Sequence, residues 1–230
     1  MLASSHSSAL DRLCRHYPLG ASTGYMSAHR GNWPYLITEA LDVSSFAVEL
    51  SALSEEELPS LNTFLSRVTW LPFRYISVHA PSKGMEMPEP ELVRVLNELP
   101  TYIDAIVVHP DVIQEAANYR SLGRKLVLEN MDARKERGLD AKDLAKMFEA
   151  LPEAGLCFDI AHAGSIDREM RAGEEILDKF AARLRHVHLS SLDAESHHVP
   201  LSVEDAELFV PLLDRCRDVP WILEAPPPDG

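Results

Sequence analysis

The chain has 230 residues, with 22 Lys and Arg against 36 Asp and Glu, so its formal net charge at pH 7 is −14. Its composition, 46% hydrophobic and 25% charged, is that of a globular protein and excludes disordered, collagen-like and disulfide-rich classes. The acidic balance disfavours proteins that hold nucleic acid or an anionic membrane through clustered Lys and Arg.

The cysteines and the N-terminus indicate the compartment. Cys14, Cys157 and Cys216 are widely separated, odd in number and outside any CxxC pair, which favours reduced thiols. The N-terminus lacks the basic start and apolar stretch of a secretory signal, and no run of about 18 apolar residues occurs. We therefore predict a cytoplasmic protein.

Eight short apolar runs rich in β-branched residues alternate with segments of helical periodicity. In chain order the runs are PLGASTGYM, SFAVELSA, YISVHAP, AIVVHPD, LVLENMD, LCFDIAHA, RHVHLSS and PWILEAP. Helix starts are predicted at Ser54 with Glu57, at Asp140 before AKDLAKMFEAL, and at Ser202 with Asp205. Strand and helix therefore alternate along the whole chain.

The spacing of the runs predicts the architecture. Seven steps separate Leu19 from Leu223, about 29 residues each, close to the minimum for a βα unit. A doubly wound open sheet would alternate in the same way, but no GxGxxG or GxxxxGK[ST] loop follows the first run. The sequence thus predicts a single (β/α)8 barrel over residues 18–230, preceded by an N-terminal extension or helix over residues 1–17.

Seven of the eight runs end in a residue that could bind a metal. These residues are Glu49, His79, His109, Glu129, Asp159, His188 and Glu224. The carboxyl ends of barrel strands converge on one opening, and terminal residues of equal parity point inward together. Burying so many carboxylates and imidazoles is costly without cations. Mixed ligands of these types suit Zn, Mn, Fe or Co, and their number suggests more than one ion.

Other polar residues have two interpretations from sequence. Glu49 could contact substrate or anchor the structure, and His186, one layer deeper than His188, could be a core or a functional histidine. Lys83, Arg134, Lys135 and Arg30 follow strands and could meet a phosphate or carboxylate, although residues of this kind are more often solvated surface charges.

The motifs, taken together, resemble a known superfamily. They are VHAP with His79, VHP with His109, LEN with Glu129 and Asn130, FDIAHA with Asp159 and His162, HVHL with His188, HHVPL with His197 and His198, and LEAP with Glu224. In this order on successive strands they resemble the xylose isomerase-like barrels, which include sugar isomerases and epimerases and the endonuclease IV class of abasic-site repair enzymes.

The epimerase pattern, carried over by this resemblance, implies a single metal site. Glu129, Asp159, His188 and Glu224 would bind one divalent metal, and His162 would contact substrate. Glu129 and Glu224 would also move a proton on and off the carbon next to a polarised carbonyl. The arginine often found shortly after the histidine of the seventh strand is missing from HLSSLDAES.

The endonuclease IV pattern implies up to three zinc ions. The first would bind His79, His109 and Glu129, and Glu129 would bridge to a second held by Asp159, His188 and Glu224. The third would bind His162 and one histidine of HHVPL, which is His198 by its spacing to Pro200 and Leu201.

That third site departs from the family pattern. The pattern has an aspartate two residues before the last histidine, where this chain has Ser196 if His198 is the ligand, or Glu195 if it is His197. His197, Glu49 and Lys83 remain candidate substrate contacts.

These expectations define the function to be tested. We expect a metal-dependent isomerase or epimerase that uses one to three divalent ions on a small sugar or α-hydroxycarbonyl compound. The alternatives are a multinuclear metal hydrolase, including one that cleaves phosphodiesters, and a non-catalytic metal-binding barrel. A small-molecule partner is expected and nucleic acid is not, while homo-oligomerisation stays open.

Overall fold

A computed structural model describes residues 18–227 and contains a closed barrel of eight parallel strands, in the spatial order β1-β10-β7-β6-β5-β4-β3-β2. The strands are β1 (Leu19–Ser22), β2 (Ala47–Ser51), β3 (Tyr75–His79), β4 (Ala105–Val108), β5 (Leu126–Glu129), β6 (Gly155–Asp159), β7 (Leu184–Leu189) and β10 (Trp221–Leu223). A two-stranded antiparallel hairpin, β8 (Ser191–Leu192) and β9 (His198–Val199), lies between β7 and β10. The predicted (β/α)8 barrel is confirmed, while the predicted extension over residues 1–17 lies outside the described residues.

Eight α-helices of the described region connect the strands. They are α1 (Trp33–Val43), α2 (Glu57–Leu65), α3 (Glu89–Asn97), α4 (Ala116–Tyr119), α5 (Ala141–Ala150), α6 (Ile160–Ile166), α7 (Arg171–Phe180) and α8 (Val203–Leu213). None of the helices in residues 18–227 combines the length and apolarity that a membrane crossing requires.

Two of the predicted helix starts are confirmed in detail. The side chain of Asp140 accepts hydrogen bonds from the N–H groups of Lys142 and Asp143 at the start of α5. Ser202 Oγ accepts from the N–H of Asp205 at the start of α8. Ser54 does not cap α2.

At α2, only the Glu57 half of the predicted pair of Ser54 and Glu57 is formed. The helix begins at Glu57, whose carboxylate accepts hydrogen bonds from the backbone N–H groups of Leu53 and Ser54 at 2.8 and 3.4 Å. The carboxylate reaches back beyond the helix start and satisfies donors that the helix itself cannot pair.

The strands separate an outer and an inner apolar layer, as the alternation of side chains requires. Outward residues such as Val48, Val78 and Phe158 pack with the helices in the main core. Inward residues Ala105, Val107, Val127 and Cys157 form a small cluster of their own, with Tyr75 packed against it. The strand-end carboxylates and imidazoles lie on the inward parity, above this inner layer.

The barrel interior is narrow where β1 meets β2. Gly20 pairs with Ala47 and Ile222, and a Cβ added to Gly20 would lie 2.6 Å from the backbone oxygen of Ala47 and 2.7 Å from its Cβ. Because the obstacle includes backbone, it cannot move without separating the two strands. Glycine at this position therefore allows the barrel to close.

We expect Gly20→Ala to lower the free energy of unfolding by about 1 to 3 kcal/mol, the usual cost of overpacking a core. Gly173→Ala in α7 is the matched control, since its Cβ would meet the end of a flexible side chain, Leu212 Cδ1, at 2.8 Å. Alanine there also favours the helix by about 1 kcal/mol. Equal unfolding midpoints for the two variants in urea would contradict this account of barrel closure.

Candidate metal centre

The carboxyl ends of the strands open into a cavity of about 380 Å³, and the residues predicted from the strand ends lie in or just below it. Its lining includes His79, His109, Glu129, His162, His197, His198, Glu224 and Lys83. Most of the potential ligands are buried, and Asp159 and His188 have no exposed surface. The structure therefore brings residues from six different strands, α6 and the hairpin into one polar opening.

The first donor group consists of His79, His109 and Glu129. His79 Nε2 lies 3.0 Å from His109 Nε2, and these nitrogens lie 3.4 and 3.5 Å from Glu129 Oε2. His79 Nδ1–H donates to the carbonyl oxygen of Ala80 at 2.8 Å, which leaves Nε2 as the free nitrogen. The three ligand atoms lie close enough to one another to bind a single ion.

The second group consists of Glu129, Asp159, His188 and Glu224, whose ligand atoms lie within 4.8 Å of one another. His188 Nδ1 lies 3.5 Å from Glu129 Oε2 and 3.3 Å from Glu224 Oε1. Glu129 belongs to both groups, as the resemblance implied for a bridging ligand.

Asp159 also caps a helix. Its carboxylate accepts a hydrogen bond from the N–H of His162, so the same side chain begins α6 and places His162 over the opening.

The third group joins Asp159 and His162 to His198 of β9. His198 Nδ1 hydrogen-bonds with Ser190 Oγ at 2.7 Å, and its ring centre lies 5.2 Å from that of His162. His197 instead has a side chain that is 72% exposed and pairs with Asp193 at 3.2 Å. Of the two candidates left open by the sequence, the structure brings only His198 into a group with His162.

Burial alone would lower the pKa of each imidazole in the site, whereas nearby carboxylates raise it. The direction of each pKa shift depends on which of the two effects is larger. Asp159 and Glu129 outweigh burial at His162 and raise its pKa to about 10. Burial dominates at His198 and lowers its pKa to about 4. The pKa of His188 is raised by the groups around it, Cys157, Glu224 and Glu49 among them, and that of His109 is lowered by burial.

The pKa values of Glu129 and Glu224, the two carboxylates expected to transfer a proton, are shifted in opposite directions. Burial would raise the pKa of Glu129, but His188 and His109 lower it well below its ordinary value. Burial raises the pKa of Glu224 well above its ordinary value, with Asp159 adding to the effect. The environment thus favours an ionised Glu129 beside a protonated Glu224 when no cation compensates them.

The donor set fits divalent cations. Several buried ligand atoms have no hydrogen-bond partner among the described residues, namely Glu129 Oε2, Asp159 Oδ2, His188 Nδ1 and Glu224 Oε2. Unpaired buried polar atoms cost free energy, and these all point to the same region. A bound cation satisfies them together.

Glu49 does not lie where the sequence placed it. β2 continues to Ser51, so Glu49 is not the last residue of its strand and lies one layer below the opening, with no exposed surface. Its carboxylate accepts hydrogen bonds from Ser77 Oγ at 2.9 Å and from His188 Nε2 at 3.2 Å. His186 lies at the same depth, where Tyr75 OH hydrogen-bonds with its Nδ1 at 2.8 Å.

The basic residues near the opening differ in whether they form ion pairs with neighbouring carboxylates. Arg134 forms two hydrogen bonds with the buried carboxylate of Asp132, and Lys135 Nζ lies 2.6 Å from Asp111 Oδ2. Lys83 lines the cavity, is exposed, and has no ion-pair partner within residues 18–227.

Arg30 lies in a structural contact instead. Its guanidinium donates to the carbonyl oxygens of Thr23 and Ser51 and to Glu57, so it ties the ends of β1 and β2 to α2.

Sequence reasoning missed Asp132 and Ser190 and, although it named Asn130 in the LEN motif, assigned it no role in the site. Asn130 exchanges hydrogen bonds with the backbone of Asp159 at 2.7 and 2.8 Å and so joins the ends of β5 and β6. Asp132 Oδ2 lies 3.9 Å from His162 Nε2, and Ser190 hydrogen-bonds with His198. Each follows a strand end by one to three residues, so polar residues just beyond the terminal ligands were the available signal.

Comparison with known proteins gives one family and many similar structures. The family model described as "Xylose isomerase-like TIM barrel" matches residues 74–228. No curated protein sequence matches the chain.

Three solved structures illustrate the structural similarity. Endonuclease IV from Thermus thermophilus is 18% identical, with a TM-score of 0.58, covering 93% of each chain. The 3-keto-D-glucoside 4-epimerase from E. coli is 12% identical, with a TM-score of 0.54, covering 93% of this chain and 94% of that one. An IOLI protein with a bound zinc atom is 11% identical, with a TM-score of 0.59, covering 92% and 90%. At these identities the likeness shows a shared fold.

We expect Glu129→Gln to weaken zinc binding by more than about 100-fold, because Glu129 contributes to two donor groups and outer residues alone change affinity by about 10- to 100-fold. Isothermal titration of zinc into the metal-free protein measures the effect. Asp205→Asn is the matched control, a buried carboxylate in α8 paired with Arg168 and outside these groups. Unchanged zinc affinity in Glu129→Gln would contradict the assignment.

A second prediction concerns the stability of the folded protein at acid pH. Burial would raise the pKa of Asp132, but the hydrogen bonds from Arg134 lower it from 3.8 to about 2. A carboxyl group whose pKa is lowered by folding stabilises the protein above its unfolded pKa, and the contribution is lost as the pH falls toward the folded value. The stability advantage of the wild type over Asp132→Asn should therefore shrink between about pH 4 and about pH 2, measured by urea unfolding. A pH-independent difference would contradict it. Arg134→Leu should weaken the dependence without abolishing it, because the backbone N–H of residue 134 and the imidazole of His162 still lower the pKa of Asp132.

Proposed function

The chain belongs to the xylose isomerase-like TIM barrel family, and we propose that it is a divalent-metal-dependent isomerase or epimerase of a small sugar or related α-hydroxycarbonyl compound. The observation that carries this proposal is the quartet Glu129, Asp159, His188 and Glu224. Its atoms converge at the barrel opening, and several have no other partner among the described residues. The fold of an epimerase and of a zinc-containing protein is consistent with this proposal.

Glu129 and Glu224 are suited to moving a proton across a small substrate. Glu129 ends β5 and Glu224 directly follows β10, two strands that β6 and β7 separate in the barrel, and both carboxylates approach His188 Nδ1. A bound divalent cation would supply Lewis acidity, which makes a proton next to a carbonyl easier to remove. One glutamate then removes the proton from carbon and the other returns a proton at the neighbouring position or on the opposite face.

His162 is proposed to bind and orient the substrate. Its Nδ1–H donates to the carbonyl oxygen of Asn130 at 2.9 Å, so the ring orientation is fixed by backbone just after β5. Nε2 remains available at the wall of the cavity, where Asp132 and His198 also lie. His162 can therefore contact a hydroxyl group or contribute to a further cation.

The size and rim of the cavity favour a small polar substrate. A volume of about 380 Å³ is at the lower end of ligand pockets. We propose that Lys83, and His197 on the hairpin, contact polar substituents of the substrate at the rim. The net charge of −14 disfavours a long phosphate backbone as the partner.

One to three cations fit the donor groups, with Zn, Mn, Fe or Co as the candidates. The shared ligands Glu129 and Asp159 link the three groups, so the cations would lie close together. The third group lacks the expected aspartate, because Ser196 occupies that position with a left-handed backbone (φ 58°). Asp159 is the carboxylate that completes this group instead.

A multinuclear hydrolase of the endonuclease IV type is the second candidate. The pair His79 and His109 favours it, because a single-metal isomerase does not require a further donor group beside the quartet. Ser196 and the acidic net charge favour the first candidate. A non-catalytic metal-binding barrel is the third possibility, and the measurements that follow distinguish all three.

We expect the metal-loaded protein to exchange solvent deuterium into the carbon next to the carbonyl of at least one member of a ketose panel, followed by NMR. Glu224→Gln should lower the exchange rate by about 100- to 10,000-fold, the usual contribution of an acid/base group. Lys83→Ala should raise KM and leave kcat nearly unchanged, because Lys83 is proposed to bind substrate without taking part in proton transfer.

Two measurements decide between the candidates. Cleavage of an abasic-site oligonucleotide, together with two or three metals per chain and no exchange in any ketose, would contradict the isomerase proposal and favour the hydrolase. If neither reaction occurs and Glu129→Gln changes only metal content, the binding barrel is favoured. Elemental analysis of protein purified without added metal gives the count.

A further inference from the structure

One fully buried carboxylate of the barrel interior, that of Glu49, does not belong to the three donor groups described above. Glu49, in the middle of β2, is fully buried below the opening and pairs in register with Ser77 of β3 and Ser22 of β1. A buried carboxylate is costly unless it is paired and hydrogen-bonded. Groups that hydrogen-bond with the Glu49 carboxylate must therefore offset the free-energy cost of burying it.

We infer that Glu49 is a positioning residue that orients His188 for metal binding and strengthens its Nδ1 as a ligand. The inference rests on the proposed function in one respect, that the quartet of Glu129, Asp159, His188 and Glu224 binds a divalent cation. It goes beyond that proposal by assigning a role to a residue outside the ligand set.

The geometry at His188 sets the direction of the hydrogen bond. His188 Nε2 lies 3.1 Å from Glu49 Oε1 and 3.2 Å from Oε2. A carboxylate only accepts hydrogen bonds, so Nε2 must carry the hydrogen and donate it. On a neutral ring Nδ1 is then without hydrogen, and its lone pair points toward Glu129 and Glu224. This is the form of imidazole that binds a metal.

The opposite ring orientation is unfavourable for the same reason. If His188 turned its bare nitrogen toward Glu49, a lone pair would face a buried carboxylate, and the N–H would point at the metal position. The lone pair facing Glu49 would have no compensating donor in the barrel interior, where both side chains have no exposed surface. The N–H facing Glu129 and Glu224 would occupy the position that a cation needs. Glu49 therefore favours the ring orientation that metal binding requires.

Glu49 is itself held in place from two neighbouring sides. Ser77 Oγ donates to Glu49 Oε2 at 2.9 Å, from the strand next to β2. His186 Nε2 lies 3.6 Å from the same oxygen, and the other nitrogen of His186 hydrogen-bonds with Tyr75 OH at 2.8 Å. The Glu49 carboxylate thus lies between one hydroxyl and two imidazoles. Its contacts in the inner part of the barrel fix its position, and Glu49 in turn fixes the orientation of the His188 ring at the metal position.

Three other site histidines are oriented by neutral partners, and the fourth, His109, has a carboxylate, that of Asp111, only at 3.8 Å from its Nδ1. His79 and His162 donate from Nδ1 to backbone carbonyl oxygens, and His198 hydrogen-bonds with a serine hydroxyl. Backbone and hydroxyl partners fix a ring without a charge. A carboxylate also increases the electron density of the imidazole and so its strength as a ligand.

The test measures zinc affinity and the state of the His188 ring without any substrate. We expect Glu49→Leu, which keeps volume and removes the acceptor, to weaken zinc binding by about 10- to 100-fold in isothermal titration, as loss of a supporting carboxylate does elsewhere. Glu49→Gln keeps an acceptor oxygen without the charge and should weaken binding less. Val107→Ala removes inner-layer packing without a hydrogen bond and should leave the affinity within about two-fold of the wild type.

Nitrogen-15 NMR of the zinc-loaded protein supplies the readout that packing alone would not move. His188 should carry its proton on Nε2 with a downfield, slowly exchanging resonance, assigned by its absence from His188→Gln. That resonance should be retained in Val107→Ala and shifted upfield or lost in Glu49→Leu. The same resonance in Glu49→Leu with unchanged zinc affinity would overturn the inference.

A variant that does not fold leaves the test intact. If Glu49→Leu does not fold, Ser77→Ala keeps the carboxylate but removes its second hydrogen bond, and it must weaken zinc binding more than Val107→Ala does. Equal affinities would overturn the inference. A protein that shows the expected affinities and resonances yet exchanges no ketose would support the role of Glu49 and contradict the proposed reaction.

Discussion

The structure depends on the mutual compensation of buried carboxylates and imidazoles at one end of the barrel. Glu129 lies within 3.5 Å of nitrogens on His79, His109 and His188, and all of these side chains are largely or fully buried. In the barrel interior each of these charges would be costly alone. Their proximity reduces that cost, and the ligand atoms that still have no hydrogen-bond partner among the described residues make the site a strong candidate for cations.

The (β/α)8 architecture allows the rest of the chain to tolerate this concentration of charge. The helices bury the outward side chains of the strands in one continuous apolar core. The inner layer of Ala105, Val107, Val127 and Cys157 closes the barrel beneath the polar opening. The stabilising apolar burial is thus physically separated from the site, so the polar residues can be arranged for chemistry rather than for packing.

Depth within the barrel divides the polar residues by role. The upper layer contains the donor groups and the cavity, where His162, His198 and Lys83 can meet a ligand. The layer below contains Glu49, which has no access to the cavity surface but contacts His188 directly. A two-residue difference along a strand therefore separates a candidate ligand or substrate contact from a supporting residue.

The sequence alone was sufficient for the alternation of strands and helices, the barrel and the inward parity of the strand-end residues, because these follow from local patterns. It also predicted the quartet and the pair His79 and His109 as candidate ligands, since each lies within one residue of the end of a strand. It could not place Glu49, because the end of β2 depends on pairing with β3 as far as His79. The spacing to Pro200 and Leu201 favoured His198 over His197, but only the tertiary structure brings the ring of His198 beside that of His162 and leaves the side chain of His197 exposed. Likewise Asp132 and Ser190 follow strand ends, but their contacts with His162 and His198 depend on how α6 and the hairpin fold over the opening, which only the tertiary structure decides.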